Sequence, residues 1–290
     1  MRVLVLGASG MLGHIMLRSL ARVADVVGTS RSEGVKRFFP ENIASRIISG
    51  IDVLDNDCLI DVFSRVRPEV VVNCVGVVKQ LSASRDPLVS LPINSLLPHR
   101  LTRLCVLSDA RLIHISTDCV FSGRKGRYIE RDFADADDIY GRSKFLGEVV
   151  DSESAVTLRT SIIGHELTSS HGLLSWFLDQ QTSVSGFTRA IFSGLSTDEL
   201  ASVVKDFVLI DESLYGLYHV GSAPISKFDL LELFAKEYHH NIPIEPSDAV
   251  VIDRSLDSTR FIRATSYVAP SWPEMVSNMR VFAESDGLIN

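Results

Sequence analysis

The stretch RVLVLGASGMLGH, residues 2 to 14, decides the fold. An apolar run ends at Leu6, and Gly7, Gly10 and Gly13 follow at intervals of three residues. Between a strand and a helix, one glycine permits a tight turn, one lets a pyrophosphate approach the backbone, and one lets the helix pack on the strand. The N-terminus of the helix adds free N–H groups and a partial positive charge. The stretch therefore predicts a β-α unit that binds the diphosphate of a dinucleotide, although a turn needed only for packing has the same pattern.

Outward from this turn, short β-branched runs alternate with longer periodic stretches. Later runs include DVVGTS at 25 to 30, EVVVNCVG at 69 to 76, ARLIHIST at 110 to 117 and AVTLRTSII at 155 to 163. Continuous apolar strands covered by helices are typical of a parallel sheet. We therefore predict an α/β fold, a Rossmann-type doubly wound parallel sheet with a smaller C-terminal α/β substrate lobe.

The alternation loosens after residue 165. The pattern predicts a dinucleotide-binding domain over residues 1–165, to which residues 195–222 return. It predicts a substrate-binding lobe formed by residues 166–194 and 223–290.

Composition excludes several classes of protein. The chain has 290 residues, 46% of them hydrophobic, and a net charge of −7, which is typical of a folded globular protein and argues against a nucleic acid polymer as partner. No apolar run is long enough to cross a membrane, and the short N-terminal run is too brief for a signal peptide, so we expect a cytoplasmic protein. The four Cys and eight His are scattered, and we expect no metal site.

The end of the second run bears on the choice of dinucleotide. A carboxylate at this point would hold the ribose diol of NAD, but the chain has Thr29, Ser30 and Arg31 there. Hydroxyls and a guanidinium suit a 2′-phosphate. The pattern favours NADP(H), with NAD(H) possible, and Arg31 could also be an ordinary surface charge.

Tyr140 and Lys144 lie four residues apart in the helical stretch DDIYGRSKFLGE, residues 137 to 148. On a helix this spacing places both side chains on one face. The spacing alone is compatible with a catalytic pair or with accidental neighbours on a surface helix.

The motifs GASGMLGH, NCVG, HISTDCVFSG and YGRSK occur in this order along the chain. In this the chain resembles the extended short-chain dehydrogenase/reductase family. Within the family it is most similar to the dTDP-4-dehydrorhamnose reductase branch of sugar-nucleotide 4-ketoreductases. The resemblance covers nearly the whole chain and is closest over the first 165 residues. The chain departs from the branch at Cys74 and Val75, where small Ala residues are usual, and in VVKQLSASRDP, residues 77 to 87, which lacks the expected acidic residues.

The resemblance implies a role for each matching residue. The catalytic residues would be Thr117, Tyr140 and Lys144. The cofactor-binding residues would be Gly7, Ser9, Gly10, Met11, Leu12, Gly13, Ser30, Arg31, Asp52, Val53, Cys74, Val75, Gly76, Asn94 and Lys144. The substrate-binding residues would be Thr117, Asp118, Tyr140, Arg189 and Arg260.

Three of these assignments have alternatives. Asp118 could cap a turn instead of contacting substrate. Arg189 and Arg260 are candidates for the diphosphate of a nucleotide because their forked donors match phosphate oxygens. Each of them could equally be in a surface or interlobe ion pair.

The resemblance implies an NADPH-dependent reductase of a nucleotide-linked 4-keto-6-deoxy sugar, used in polysaccharide assembly. Tyr140 would donate a proton, and Lys144 would lower its pKa. One alternative is an epimerase or dehydratase of the same fold that retains NAD. Another is a noncatalytic subunit like the regulatory subunit of methionine adenosyltransferase. A homodimer through helices that flank the sheet is also expected.

Overall fold

The centre of the molecule is a seven-stranded parallel sheet. The computed structural model describes residues 1–289. In this part of the chain, two further pairs of strands and one set of three lie outside the central sheet. The strands are β1 (Arg2–Leu6), β2 (Asp25–Thr29), β3 (Ile47–Ile48), β4 (Val70–Asn73), β5 (Arg111–Thr117), β6 (Ala155–Thr160), β7 (Ile162–Ile163), β8 (Val184–Phe187), β9 (Ala190–Phe192), β10 (Leu195–Ser196), β11 (Gly216–His219), β12 (Ile225–Ser226), β13 (Ile244–Ser247) and β14 (Ile252–Asp253).

The order of strands in the central sheet is β11-β6-β5-β4-β1-β2-β3. All six neighbouring pairs are parallel. The direction of strand addition reverses between β1 and β4, which is the feature of a doubly wound fold that creates a ligand-binding crevice. The predicted Rossmann-type architecture is confirmed.

The sheet is buried on both faces, and β1 shows why its strands are apolar throughout. Val3 and Val5 belong to one hydrophobic core, while Leu4 and Leu6 belong to the core on the opposite face. All four side chains have no exposed surface. Alternate side chains of a strand point to opposite faces, so a strand between two helical layers must be apolar at every position.

Helices cover the sheet and connect its parallel strands. They are α1 (Met11–Leu20), α2 (Glu41–Ala44), α3 (Asn56–Val66), α4 (Pro87–Ser90), α5 (Leu97–Leu107), α6 (Ile139–Leu146), α7 (Leu173–Leu178), α8 (Thr197–Val203), α9 (Lys227–Glu237), α10 (Thr259–Thr265) and α11 (Trp272–Ser285).

Two helical stretches differ from the regular helices that the periodicity predicts. Residues Leu91–Leu96 form a π-helical segment between α4 and α5. The helix that contains Tyr140 ends at Leu146, two residues before the end of the helical stretch 137 to 148. A side chain at Gly147 would place its Cβ 1.9 Å from the carbonyl oxygen of Asn94, so only glycine allows this close approach at the end of α6.

The later part of the chain packs against the sheet through its own small sheets and helices. Strands β12, β9 and β14 form one small sheet, and β13 pairs with β8 in another. Helix α9 packs on both, and α11 packs on α9 and α8. Strand β11 returns to the central sheet beside β6. One hydrophobic core includes residues of α1, α8, α9 and α11.

Two kinds of feature are absent from residues 1–289. No helix in this range has the length and apolar character that a membrane span requires. No group of three or more His, Cys, Asp or Glu side chains in the same range is arranged to hold a metal ion.

Candidate active site

The carboxyl ends of β1, β4 and β5 open into a cleft of about 380 Å³. Met11 comes to this cleft from the glycine turn, Cys74 from the end of β4 and Thr117 from the end of β5. Tyr140 and Lys144 of α6 line the same cleft. The fold therefore brings together motifs that are far apart in sequence, at the switch point where open α/β sheets bind ligands.

The glycine turn has the geometry that a diphosphate site needs. Gly7 has φ of +86°, in the left-handed region that favours glycine, and its carbonyl oxygen accepts a hydrogen bond from Gly10 N (3.0 Å). A Cβ on Gly13 would lie 2.0 Å from this same oxygen. Gly10 is the N-cap of α1 and supplies no side chain to cap the helix, so the first N–H groups of α1 remain available to an anion. Gly10, Met11 and Leu12 line the cleft, and Ser9 is exposed beside them.

The residues expected at the adenosine end lie next to each other but outside the 380 Å³ cleft. Ile51 N donates to Ser30 O (3.0 Å), which places the ends of β2 and β3 side by side. Ser30 is buried, and its hydroxyl donates to Ser32 O (2.9 Å), whereas Arg31 is exposed. Asp52 is exposed, its carboxylate accepts from Leu54 N (2.9 Å), and Val53 is buried behind it. Arg31 is thus the exposed cationic side chain among the residues expected here.

The loop after β4 is shaped by Asn73, which sequence analysis missed. Its Oδ1 accepts from Val75 N (3.1 Å), and its Nδ2 donates to His114 Nδ1 (3.2 Å). Cys74, Val75 and Gly76 line the cleft as expected for a cofactor path. Burial raises the pKa of the Cys74 thiol to about 12, so this side chain is neutral and acts as a small apolar group.

Asn94 supports the cleft from behind and does not line it. Its Oδ1 accepts from Val77 N (2.9 Å), and its Nδ2 donates to Val77 O (3.2 Å) and to Ser143 Oγ (3.1 Å). Its amide is therefore already used to join the loop after β4 to α6. Cofactor binding by Asn94 stays a prediction, and the contacts of its side chain here are with Val77 and Ser143.

Thr117, Tyr140 and Lys144 are buried together at the end of β5 and in α6. Lys144 is 6% exposed, and its Nζ donates to Ile115 O (2.8 Å). Burial lowers the pKa of Lys144 to about 8, so the ammonium form still predominates at pH 7. Burial also raises the pKa of Tyr140, and a side-chain hydrogen bond with Thr117 acts in the opposite direction.

That Lys144 lowers the pKa of Tyr140 during the reaction stays a prediction. Lys144 is not among the groups that influence the phenol, and burial determines the direction of the shift. Lys144, with a pKa of about 8, has already lost its proton when a phenol of raised pKa titrates, so its charge acts only at lower pH.

Asp118 faces the cleft, and the turn after β5 is capped instead by Thr117, whose Oγ1 accepts from Cys119 N (3.1 Å). Asp118 is 5% exposed, and its Oδ1 accepts from Thr117 Oγ1 (3.2 Å). Burial raises its pKa, while the positive charges of Arg254 and Lys227 act to lower it. Both cations line the cleft, and Arg254 Nε donates to Phe121 O (2.7 Å). Two positively charged side chains therefore line the cleft together with Asp118.

The arginines chosen from sequence do not line this cleft. Arg189 is exposed in the turn between β8 and β9. Arg260 is exposed on α10, with its guanidinium 4.6 Å from the centre of the Tyr218 ring, and it lines a separate depression. Lys227 and Arg254 line the cleft, because β14 pairs with β9 and α9 begins after β12, which also pairs with β9. Local sequence carries no signal for these pairings, so the two cleft cations could not be found from spacing.

The fold and the cleft define a class of protein, the extended short-chain dehydrogenases/reductases. The model of the RmlD substrate binding domain family matches residues 1–260, and the chain belongs to this family.

Curated relatives include both an enzyme and a subunit of an enzyme. The chain is 25% identical to a dTDP-4-dehydrorhamnose reductase of Aggregatibacter actinomycetemcomitans, over 98% of this chain and 99% of that protein. It is 23% identical to the methionine adenosyltransferase 2 subunit beta of Rattus norvegicus, over 87% of this chain and 78% of that protein.

Solved structures of similar proteins share the fold over nearly their full length. A hypothetical dTDP-4-dehydrorhamnose reductase from Sulfolobus tokodaii has a TM-score of 0.77 at 25% identity and covers 94% of this chain and 98% of its own. A dTDP-4-dehydrorhamnose reductase from Bacillus anthracis in complex with NADP has a TM-score of 0.77 at 21% identity, with coverages of 97% and 99%. The Bordetella bronchiseptica enzyme WbmG in complex with NAD has a TM-score of 0.78 at 17% identity, with coverages of 99% and 95%.

Proposed function

We propose that this protein is an NADPH-dependent reductase of a nucleotide-linked 4-keto-6-deoxy sugar, similar to dTDP-4-dehydrorhamnose reductase. The observation that carries the proposal is the meeting of Thr117, Tyr140 and Lys144 in one cleft with the glycine turn. The curated reductase relative, aligned over almost the whole of both chains, supports the substrate class.

The dinucleotide would bind along residues that fit it. The turn at Gly7 and Gly13 leaves room for a pyrophosphate because a Cβ would fill it, and α1 offers its free N–H groups. Arg31, exposed at the end of β2, would hold the 2′-phosphate, which favours NADPH over NADH. The solved relative with bound NADP supports this choice, and the relative with bound NAD keeps NADH as the alternative. A bound nicotinamide would supply the hydride.

The chain's own residues would handle the carbonyl oxygen of the sugar. Thr117 and Tyr140 would both hydrogen-bond this oxygen and so stabilise the negative charge that develops on it. Tyr140 would then give up its hydroxyl proton as general acid. Lys144, mostly protonated at pH 7 with a pKa of about 8, would hold the positive charge that favours loss of that proton.

The charged wall of the cleft would bind the nucleotide end of the substrate. Arg254 and Lys227 are the cleft cations, and two phosphate groups require positive charge and hydrogen-bond donors. Asp118, which also lines the cleft, is suited to a sugar hydroxyl. We therefore assign substrate binding to Arg254 and Lys227 in place of Arg189 and Arg260.

The proposal is tested by following NADPH absorbance with a panel of dTDP-, UDP- and GDP-linked 4-ketosugars. We expect turnover with at least one of them, and Tyr140→Phe to lower kcat by about 10²-fold or more, because it removes the general acid. Binding of NADPH, measured by fluorescence titration, should be nearly unchanged. Tyr215→Phe is the matched control, since Tyr215 is 49% exposed and outside the cleft. Equal rates for the Tyr140→Phe variant and the parent would remove Tyr140 from the mechanism.

A second candidate is a noncatalytic regulatory subunit. It is favoured by the similarity to methionine adenosyltransferase 2 subunit beta over 87% of this chain. Association with a methionine adenosyltransferase, measured by analytical ultracentrifugation, together with no turnover on the ketosugar panel, would support it. An epimerase or dehydratase would instead purify with tightly bound NAD, which chromatography of the denatured protein would detect.

A further inference from the structure

A buried ion pair lies directly behind the catalytic helix. Glu148 follows α6, Arg159 is in β6, and each side chain is 2% exposed. Arg159 donates two hydrogen bonds to the carboxylate, from Nε to Oε1 and from Nη2 to Oε2, and both are 2.6 Å long. Ser116 Oγ donates to Glu148 Oε1 (2.7 Å). Desolvation makes such a pair a weak source of stability, so its position beside the active site requires another explanation.

The third nitrogen of the Arg159 guanidinium contacts a neutral side chain, His219. Arg159 Nη1 lies 3.1 Å from His219 Nε2. A guanidinium can only donate, so Nε2 is the acceptor and Nδ1 carries the proton, which it donates to Tyr128 O (3.0 Å). Burial lowers the pKa of His219 to about 3, which keeps the ring neutral. Glu148 is therefore the carboxylate bonded to Arg159, whereas Glu130, which accepts from His219 N (2.9 Å), and the charges of Asp132 and Asp257 act on His219.

The ion pair is connected to the active site in two ways. Ser116 stands between Ile115, whose carbonyl holds the Lys144 ammonium, and Thr117. Glu148 also acts on Lys144 through space, because its negative charge favours the charged form of the amine and opposes the effect of burial. The pair thus contacts the side chain of Ser116, the residue before Thr117, and acts through space on the charge of Lys144.

Other groups near Lys144 do not replace Glu148. The Cys74 thiol is neutral, and burial holds the pKa of His114 well below its ordinary value, so that ring is neutral as well. The elements packed against α6 include α4 and the segment Leu91–Leu96, which have no ionisable side chain. Tyr140 on the same helix, Asp118 in the turn after β5 and Arg85 in the turn before α4 are not among the groups that shift the pKa of Lys144.

We propose that Glu148 and Arg159 are positioning residues that keep the ammonium of Lys144 charged and fix the end of β5 that carries Thr117. The proposal rests on the proposed function, because it assigns the pair a role in the same reduction. The pair is neutral as a unit. Removing either member leaves a buried charge of known sign close to Lys144.

The test uses Glu148→Gln, Arg159→Met and the double variant. In Glu148→Gln the positive charge of Arg159 is unopposed, so the pKa of Lys144 falls by about one unit or more. The high-pH limb of the kcat profile then moves to lower pH. In Arg159→Met the negative charge of Glu148 remains, and the limb moves to higher pH. The double variant, which removes both charges, returns the limb toward its position in the parent. A purely structural role predicts lower kcat without shifts of opposite sign.

A second measurement is independent of turnover. The chain has seven Lys, so NMR of protein with ¹³C-labelled lysine can follow the titration of each one, and Lys144→Met assigns the relevant signal. This measurement stands even if no ketosugar is reduced, so failure of the proposed function and failure of this proposal can be told apart. Shifts of the Lys144 titration in the same direction in both single variants, or no shift in either, would overturn the proposal.

Variants that keep both charges serve if a single variant does not fold, as judged by circular dichroism. Glu148→Asp shortens the acidic side chain, Arg159→Lys replaces the forked donor by a single ammonium, and both substitutions retain the charge. We expect the Lys144 titration to stay within about half a unit of the parent, as expected for a conserved local charge. The kcat should fall because the contact with Ser116 loosens, while KM for the substrate stays unchanged. A shift of the Lys144 pKa as large as the one in Glu148→Gln or Arg159→Met would contradict the proposal.

Discussion

At the scale of single residues, Lys144 has the clearest consequence for the behaviour of the protein. Its charge is buried at 6% exposure, and burial lowers its pKa from the ordinary 10.5 to about 8. Between these values the unfolded chain binds more protons than the folded chain at this position. The contribution of Lys144 to the free energy of unfolding is therefore unfavourable below about pH 8 and is relieved as the pH rises toward 10.5.

We predict that this pH dependence is visible in the difference between the parent protein and Lys144→Met. The free energy of unfolding of the parent, relative to the variant, should rise by about 1 kcal/mol or more between pH 8 and pH 10. Urea denaturation at a series of pH values measures it. The burial of Cys74, which raises the pKa of its thiol and acts on stability in the opposite direction, is common to both proteins. A difference that is constant over this range would show that Lys144 titrates normally.

Sequence could indicate which single residues meet in the cleft where a motif has a fixed spacing. Sequence analysis singled out Thr117, Tyr140 and Lys144, and the fold brings them into one cleft. It missed Lys227 and Arg254, because their positions depend on how small sheets outside the central fold pair with each other. Charges that meet only through tertiary pairing leave no periodic trace in the sequence.

At the scale of elements, the close contact between the glycine turn and α1 limits the size of the side chain at position 13. The Cβ of Gly13→Ala would lie 2.0 Å from the Gly7 carbonyl oxygen, so the helix must move away from the strand. We predict a loss of about 1–3 kcal/mol in the free energy of unfolding, as expected for overpacking, and at least about 10-fold weaker binding of NADPH. Denaturation and fluorescence titration measure the two effects.

Gly34→Ala is the control for this substitution. A Cβ at Gly34 would be 3.5 Å from its nearest neighbour, the Oγ of Ser32, which is an ordinary contact. We expect its stability and cofactor affinity to match those of the parent. Unchanged NADPH binding in Gly13→Ala would mean that the turn does not hold the diphosphate.

The types of the main elements could be predicted from sequence, whereas their ends could not. Apolar runs bounded by turns gave the central strands because burial on both faces leaves only apolar residues there. The early end of α6 depends on the approach of Asn94 to Gly147, and the π-helical segment Leu91–Leu96 packs on α6. These are contacts between distant residues, which local periodicity does not report.

At the scale of the whole molecule, we propose a dinucleotide-binding unit of residues 1–165 and 195–222, with 166–194 and 223–290 as a substrate-binding unit. The return of β11 to the central sheet supports the first. The two units are not independent in packing, because one hydrophobic core runs from α1 through α8 to α11. We therefore expect them to unfold together.

The end of α11 is tied to α1 by Asp286. Its carboxylate lies 3.4 Å from Arg18 Nη1 and 2.7 Å from Arg22 Nη2, and the side chain of Arg18 is 1% exposed. We predict that Asp286→Asn lowers the free energy of unfolding by about 1–3 kcal/mol, because a buried guanidinium loses its partner charge. Urea denaturation followed by circular dichroism measures this.

Asp61→Asn is the matched control for Asp286→Asn. Asp61 pairs with Arg65 on the surface of α3, and both side chains are about 60% exposed. Removing an exposed pair of this kind should change stability by less than about 0.5 kcal/mol. Equal effects of the two substitutions would show that the ion pairs of Asp286 with α1 contribute no more to the free energy of unfolding than an exposed pair.

The pairing of Arg18 with Asp286 joins positions 268 residues apart, which bears on the order in which the chain acquires its shape. Loop closure over such a distance is entropically unfavourable, whereas each β-α unit closes over a few tens of residues. As the ribosome produces the chain, the early units can therefore assemble while Arg18 still has no carboxylate to meet. We expect a nascent chain that stops before residue 286 to hold most of the central sheet and to bind molecular chaperones more strongly than the released protein.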